Sequence, residues 1–252
     1  MRVAIIMSGQ PRFCRETNHF ISRLHNYTQI DWFVFLWRNN QNYIDQGLDI
    51  IGTAWLDIDR DWAENKIKEN LPNGHYLQGL ILGDQQNFTI PPRIHKAPET
   101  NEFTTWNMYA SQYYCDLMRR QHETHYQFKY DLVIRYRPDM SFDVEIDLRS
   151  YTAQLHSRSI ITPDSFIWGY NGYSTNDMFA IGSSDIMKTY FNLIHYMFAY
   201  NSNGVLWHPE TMLAYHLDYH QIENIKKEMP IIFRHFGHKT NNVWYSDYAT
   251  WV

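Results

Sequence analysis

Two stretches of this chain gather side chains whose types and spacing could do chemistry on a charged ligand. The first runs from Tyr130 to Asp143, where Arg135, Arg137, Asp139 and Asp143 follow directly on an apolar run. Guanidinium groups grip phosphate oxygens with paired donors, and carboxylates offer hard oxygen ligands to Mg²⁺ or Mn²⁺. A divalent cation carrying a diphosphate would use both. The plainer alternative is that these Arg and Asp side chains pair with one another on the surface. The second stretch is Ser8-Gly9-Gln10-Pro11-Arg12, which closes the leading apolar run; its plainer reading is an ordinary turn from strand to helix.

Position is what makes either stretch a site, and the flanking elements supply it. Leu132-Val133-Ile134 has the β-branched composition of a buried parallel strand, and Pro138, having no N–H for a ladder, must end it. Val3 to Met7 and Asp31 to Trp37 read as two more buried strands, with further strands at Tyr76–Leu82, Arg158–Thr162, Met178–Ile181 and Pro230–Phe236. Helices are expected over residues 14–28, Trp62–Asn70, Thr104–His125 and Ile186–Tyr200, and from Pro209 onward. In the helix Thr104–His125, the spacing of Trp106, Tyr109, Ala110, Tyr113, Tyr114, Leu117 and Met118 marks a core stripe. That assignment leaves Gln112, Arg119, Arg120 and Glu123 outside. Trp168-Gly-Tyr-Asn-Gly-Tyr173 reads as a ring-rich loop. The sum is an α/β chain, one domain over 1–252, with a doubly wound, mostly parallel sheet and helices on both faces. Ligands of such sheets bind beyond the carboxyl ends of the strands, where both charged stretches fall.

Bulk properties narrow the partners. The 22 Lys and Arg are scattered in a chain of net charge −5, which argues against nucleic acid. Aromatic content of 17%, with 19 Tyr and 9 Trp, suits stacking on sugars or bases, and equally a core with Tyr at its margins. Cys14 and Cys115 have no metal or redox spacing. No apolar run approaches a transmembrane segment, and Val3–Met7 is too short for a secretion signal, so a cytoplasmic location is expected.

The strand, Arg135-x-Arg137-Pro138-Asp139, the long helix before it and Asn176-Asp-Met-Phe-Ala-Ile-Gly182 after it resemble the nucleotide-diphospho-sugar glycosyltransferases of the GT-A, Rossmann-like type. The likeness is to their bacterial and viral surface-polysaccharide branch. It implies a nucleotide-diphospho-sugar donor, a glycan or other hydroxyl acceptor, and Mn²⁺ or Mg²⁺. By that resemblance Ser8, Gly9, Gln10, Arg12, Arg135, Arg137 and Lys239 bind the donor, and Asp139 and His235 hold the metal. Where the family has two aspartates flanking one residue, this chain has Arg137-Pro138-Asp139, with a single carboxylate. His235-Phe-Gly-His-Lys239 is a compressed form of a closing His-Phe-x-Gly-x-x-Lys motif, and His238 competes with His235. Glu210 and then Asp177 match the acceptor-side base that an inverting enzyme requires; a retaining enzyme needs none. For Glu210 the competing account is complementing a helix dipole. A non-catalytic carbohydrate- or nucleotide-binding relative is the alternative, and a nucleotidyltransferase is disfavoured because the first loop lacks a glycine- and lysine-rich phosphate cradle.

Overall fold

A computed structural model of the chain describes residues 1–9, 15–38, 59–84, 95–98, 100–138, 140–165, 167–233 and 249–250. Strands in chain order are β1 (Arg2–Gly9), β2 (Leu24–His25), β3 (Gln29–Arg38), β4 (His75–Asp84), β5 (Leu132–Tyr136), β6 (Met140–Phe142) and β7 (Ile146–Asp147). Then come β8 (Ser159–Pro163), β9 (Trp168–Tyr170), β10 (Tyr173–Thr175), β11 (Phe179–Gly182), β12 (Glu223–Lys227), β13 (Ile231–Phe233) and β14 (Ala249–Thr250). The described helices are α1 (Arg15–Ser22), α2 (Arg60–Asn70), α3 (Glu102–Tyr126), α4 (Leu148–Gln154), α5 (Ser184–Phe191), α6 (Met197–Ser202) and α7 (Pro209–Tyr219).

Seven strands form one sheet in the order β12-β8-β11-β5-β1-β3-β4. β1 is parallel to β3 and β5, β3 to β4, and β8 to β12, whereas β11 runs antiparallel to both of its neighbours. The fold is therefore mixed α/β with a mostly parallel sheet. Side chains alternate across each strand, so the continuous apolar runs feed two cores. Val3, Ile5 and Met7 join Phe20 of α1 and Ile67 of α2 on one face. Ala4 and Ile6 join Tyr109 and Cys115 of α3, Tyr190 of α5 and Leu213 of α7 on the other.

The expected core stripe of α3 holds at Tyr109 and Ala110, which are buried, but the polar face expected outside is overturned. Gln112, Arg119 and Glu123 are buried and Arg120 is half-buried, while Trp106, Tyr113, Leu117 and Met118 are only partly covered and Tyr114 is exposed. The charged face turns inward because it is satisfied there. Arg119 Nε donates to Asp116 Oδ1 at 2.8 Å, its Nη1 pairs with Glu123 Oε2 at 2.8 Å, and Ser184 Oγ donates to Glu123 Oε1 at 2.7 Å. Hydropathy periodicity cannot register a charge that brings its own partners.

Two further expectations are corrected. Instead of one helix over Ile186–Tyr200, α5 stops at Phe191, a 3₁₀ turn covers Asn192–His195, and α6 begins at Met197. The tighter turn aims Tyr196 at His216 and His220 beside α7. The expected loop Trp168–Tyr173 is a hairpin, β9 against β10, closed by Asn171 (φ 56°) and Gly172 (φ 81°). Positive φ at both residues of a two-residue connection is the turn that matches strand twist. Gly169 lies where a Cβ would sit 1.8 Å from the Tyr173 carbonyl oxygen, so the strands close only on glycine.

Candidate active site

After β1 the chain builds β3 and β4 on one side, then returns to place β5 on the other side of β1. The crevice beyond the carboxyl ends of β1 and β5 is thus a topological switch point, where open α/β sheets bind ligands. The end of β1 lies against the turn that follows β5 there. Gly9, at φ +149°, sits where a Cβ would lie 3.5 Å from Pro138 Cδ, so its need for glycine comes from the backbone angle and not from lack of room. Thr17 of α1 donates its hydroxyl to the Pro138 carbonyl at 3.1 Å. Tyr136 donates to the Met140 carbonyl at 2.7 Å and stacks on Phe20 at 4.0 Å between centroids. Helix α1 in this way fixes the corner that carries Arg137.

Beneath that corner lies a buried polar layer. Cys115 Sγ approaches the Met7 carbonyl at 3.4 Å, which places Ser111 and Gln112, one turn toward the start of α3, above the carboxyl edge of β1. Ser8 is buried on that face, and Arg135 lies in the interior with Nη1 donating to the Tyr136 carbonyl. Ser8 Oγ, both amide atoms of Asn107, both of Gln112, Arg135 Nε and the Tyr190 hydroxyl make no hydrogen bond among the described residues. Buried polar atoms of this kind are completed by water or ligand. Burial lowers the pKa of Arg135, an effect that Tyr190 and Asp177 oppose. Burial raises the Asp177 carboxyl against the pull of Arg137, Arg135 and His208.

The opposite wall is the opening of α7. Pro209 occupies its first turn, and Tyr109 of α3 anchors it by donating to the Pro209 carbonyl at 2.8 Å. His208 Nε2 is 3.4 Å from Glu210 Oε2, and its Nδ1 is 3.2 Å from Thr211 Oγ1, which also accepts from the Tyr170 backbone N–H at 2.9 Å. The Tyr170 ring meets the His208 ring edge-on at 5.0 Å. Tyr109 links the two walls electrostatically: burial raises its hydroxyl first, then the charges of Asp177, Tyr190 and Glu210.

Of the residues expected at the site, Gly9, Arg137, Asp177 and Glu210 fall around this crevice, and Ser8 and Arg135 lie in the layer beneath it. Gln10, Arg12, Asp139, His235 and Lys239 lie outside the described residues. Asp143 is 3.8 Å from Arg23 on the surface. Asn176 is structural, its side chain capping the entry to β11 through the Met178 and Phe179 N–H groups. Among the described residues no three His, Cys, Asp or Glu side chains cluster as a metal shell, and the buried carboxylate of Asp177 faces arginines instead. Sequence reading missed Asn107, Tyr109, Gln112, Tyr190 and His208. Only the polar interruptions at 107, 111 and 112 in an aromatic helix could have signalled them. Among the described residues no helix is long and apolar enough to cross a membrane. No family model matches the chain, and comparison with curated proteins gives no match.

Proposed function

We propose that the protein is a glycosyltransferase of the GT-A type, moving a sugar from a nucleotide diphosphate to a hydroxyl of a glycan or similar acceptor. The observation that carries this reading is the switch-point crevice, with an arginine-bearing corner on one side and a carboxylate-bearing helix opening on the other. The sheet order, with a single reversed strand in its second half, supports the same architecture. In this reading Arg137 neutralises charge that grows on the leaving diphosphate, and Asp177 holds it in place. Glu210, steadied by His208, takes the proton of the acceptor hydroxyl as that oxygen attacks the anomeric carbon.

A thermal-shift screen of the UDP, GDP, ADP, CDP and dTDP forms and their sugars, with and without Mn²⁺, tests the proposal. A ligand at about 100 times its dissociation constant adds about 2.7 kcal/mol of stability. Stabilisation followed by release of nucleotide from one sugar donor is expected. No response to any of them would reject the reading, and binding without turnover would favour a non-catalytic relative.

A further inference from the structure

A second cavity, of about 520 Å³, opens between the β9–β10 hairpin, α7 and β12. Its walls include Asn171, Tyr173, Ala214, Asp218, Asn224 and Lys226. We propose that this groove is a saccharide-binding subsite, taking the sugars of an oligosaccharide acceptor that lie beyond the one receiving the transferred unit. The proposal rests on the glycosyltransferase reading above and names its acceptor as a chain rather than a small molecule.

Helix geometry connects the groove to the crevice. Glu210, Ala214 and Asp218 stand at i, i+4 and i+8 on α7, so the groove's helical wall continues the stripe that begins at Glu210. At 1.5 Å per residue it extends about 12 Å along the helix from Glu210. In this proposal an acceptor chain leaving the crevice follows this stripe into the groove.

The lining has the chemistry of polyol recognition. Sugars present apolar faces to rings and pairs of hydroxyls to amides and carboxylates. Tyr173 is braced edge-on by Tyr215, with centroids 5.1 Å apart. Asn224 is oriented from both sides: its Oδ1 accepts from the Thr162 hydroxyl and its Nδ2 donates to Thr175 Oγ1, each at 2.8 Å. Asp218 and Lys226 line the groove without a side-chain hydrogen bond or ion pair among the described residues, even to each other. One charge of each sign, flanked by amides, favours a neutral polyhydroxyl ligand over a polyanion. The hairpin wall turns at Asn171 and Gly172, and Trp168 on the same hairpin is 64% exposed.

The test is saturation-transfer NMR of the intact chain with cellotetraose, maltotetraose, chitotetraose and mannotetraose, extended to a broad glycan array, in the absence of nucleotide. At least one oligosaccharide should bind, its monosaccharide about tenfold more weakly or not at all. The double variant Asp218→Ala/Lys226→Ala, both side chains being unpartnered surface groups, should lose that affinity about tenfold or more. Its melting temperature and its response to nucleoside diphosphate should stay unchanged. Ser174→Trp, which fills the groove from the hairpin side, should abolish binding in the same way. Failure of every oligosaccharide to bind, or binding that survives in both variants, overturns the subsite. Oligosaccharide binding lost in the variants, with no nucleotide response in any form of the protein, would keep the saccharide site and remove the glycosyltransferase reading.

Discussion

One helix, α3, buries polar side chains at both of its ends, and the two ends are built on opposite plans. Toward its end, Arg119, Asp116, Glu123 and Ser184 form a closed set, with the Tyr130 N–H also donating to Glu123 at 2.9 Å. Arg120 Nε lies 2.9 Å from Asp116 Oδ2, but Asp116 Oδ2 and Arg120 Nε and Nη2 make no hydrogen bond among the described residues, so the set is closed around Arg119 and open at Arg120. Toward its start, Asn107 and Gln112 lie buried with Ser8 and Arg135, holding atoms that make no bond among the described residues. A closed network stabilises a fold; an open one is completed from outside. The Asn107 and Gln112 end thus leaves more buried polar atoms to be completed than the Arg119 end does.

The sharpest break would come from Glu210→Gln. Turnover should fall about 10² to 10⁴-fold with nucleotide binding retained. A rate within a few-fold of the parent would leave Glu210 only its helix-dipole role, worth about 0.3 to 1 kcal/mol. At the closed end, Arg119→Met strands two buried carboxylates and should cost about 3 to 5 kcal/mol in urea denaturation. A loss under 1 kcal/mol would show the network to be open as well. Arg137→Ala should weaken nucleoside diphosphate binding about tenfold or more by calorimetry at a temperature where parent and variant are both folded, and should also lower the melting of the free protein, because Arg137 faces the buried carboxyl of Asp177. Gln112→Met, an apolar near-isostere of an amide without partners, should be neutral or stabilising by about 1 kcal/mol and should impair ligand binding. Destabilisation instead would mean that its amide is already satisfied.

The smallest effect is one of pH. Asp116 and Asp177 are both raised by burial, against the arginines beside them. A carboxyl raised in the folded state contributes stability that is complete below about pH 3.9 and is lost as pH rises through the folded value. Both Asp116→Asn and Asp177→Asn should therefore gain on the parent as pH climbs from 4, read as urea midpoints. Saturating nucleotide should change the Asp177→Asn difference and leave the Asp116→Asn difference alone. Equal responses to nucleotide would dissolve the contrast between the two ends.

Much of this was legible in the sequence and part was not, for identifiable reasons. The runs at Val3, Asp31 and Leu132 declared the central strands because a strand covered on both faces needs apolar side chains in succession. Pro138 marked the strand end, and Pro209 the helix start, because a missing N–H leaves few permitted places. The inner face of α3 was misread because Arg119, Asp116 and Glu123 look solvated until they are seen to pair with one another along the helix, with Ser184 and the Tyr130 N–H completing the set. His208 and Tyr109 were invisible as site residues, since only the crossing of α3 over β1 and the docking of α7 bring them to the crevice. Asn171-Gly172 did carry a local hairpin signal, outweighed by the rings around it.

Finally, β1 is made first but its partners arrive far apart in time. β3 ends at Arg38 and β5 begins at Leu132, about 90 residues later, which at cellular synthesis rates of 5–20 residues per second is roughly 5 to 20 s. Throughout that interval the edge of β1 destined for β5 presents unpaired backbone N–H and C=O groups, flanked by strongly apolar side chains, to the surrounding solution. Nascent chains arrested near residue 130 are accordingly expected to recruit chaperones or aggregate, and chains released beyond residue 140 to do so markedly less, which makes β1, an interior strand of the finished sheet, an exposed edge during synthesis.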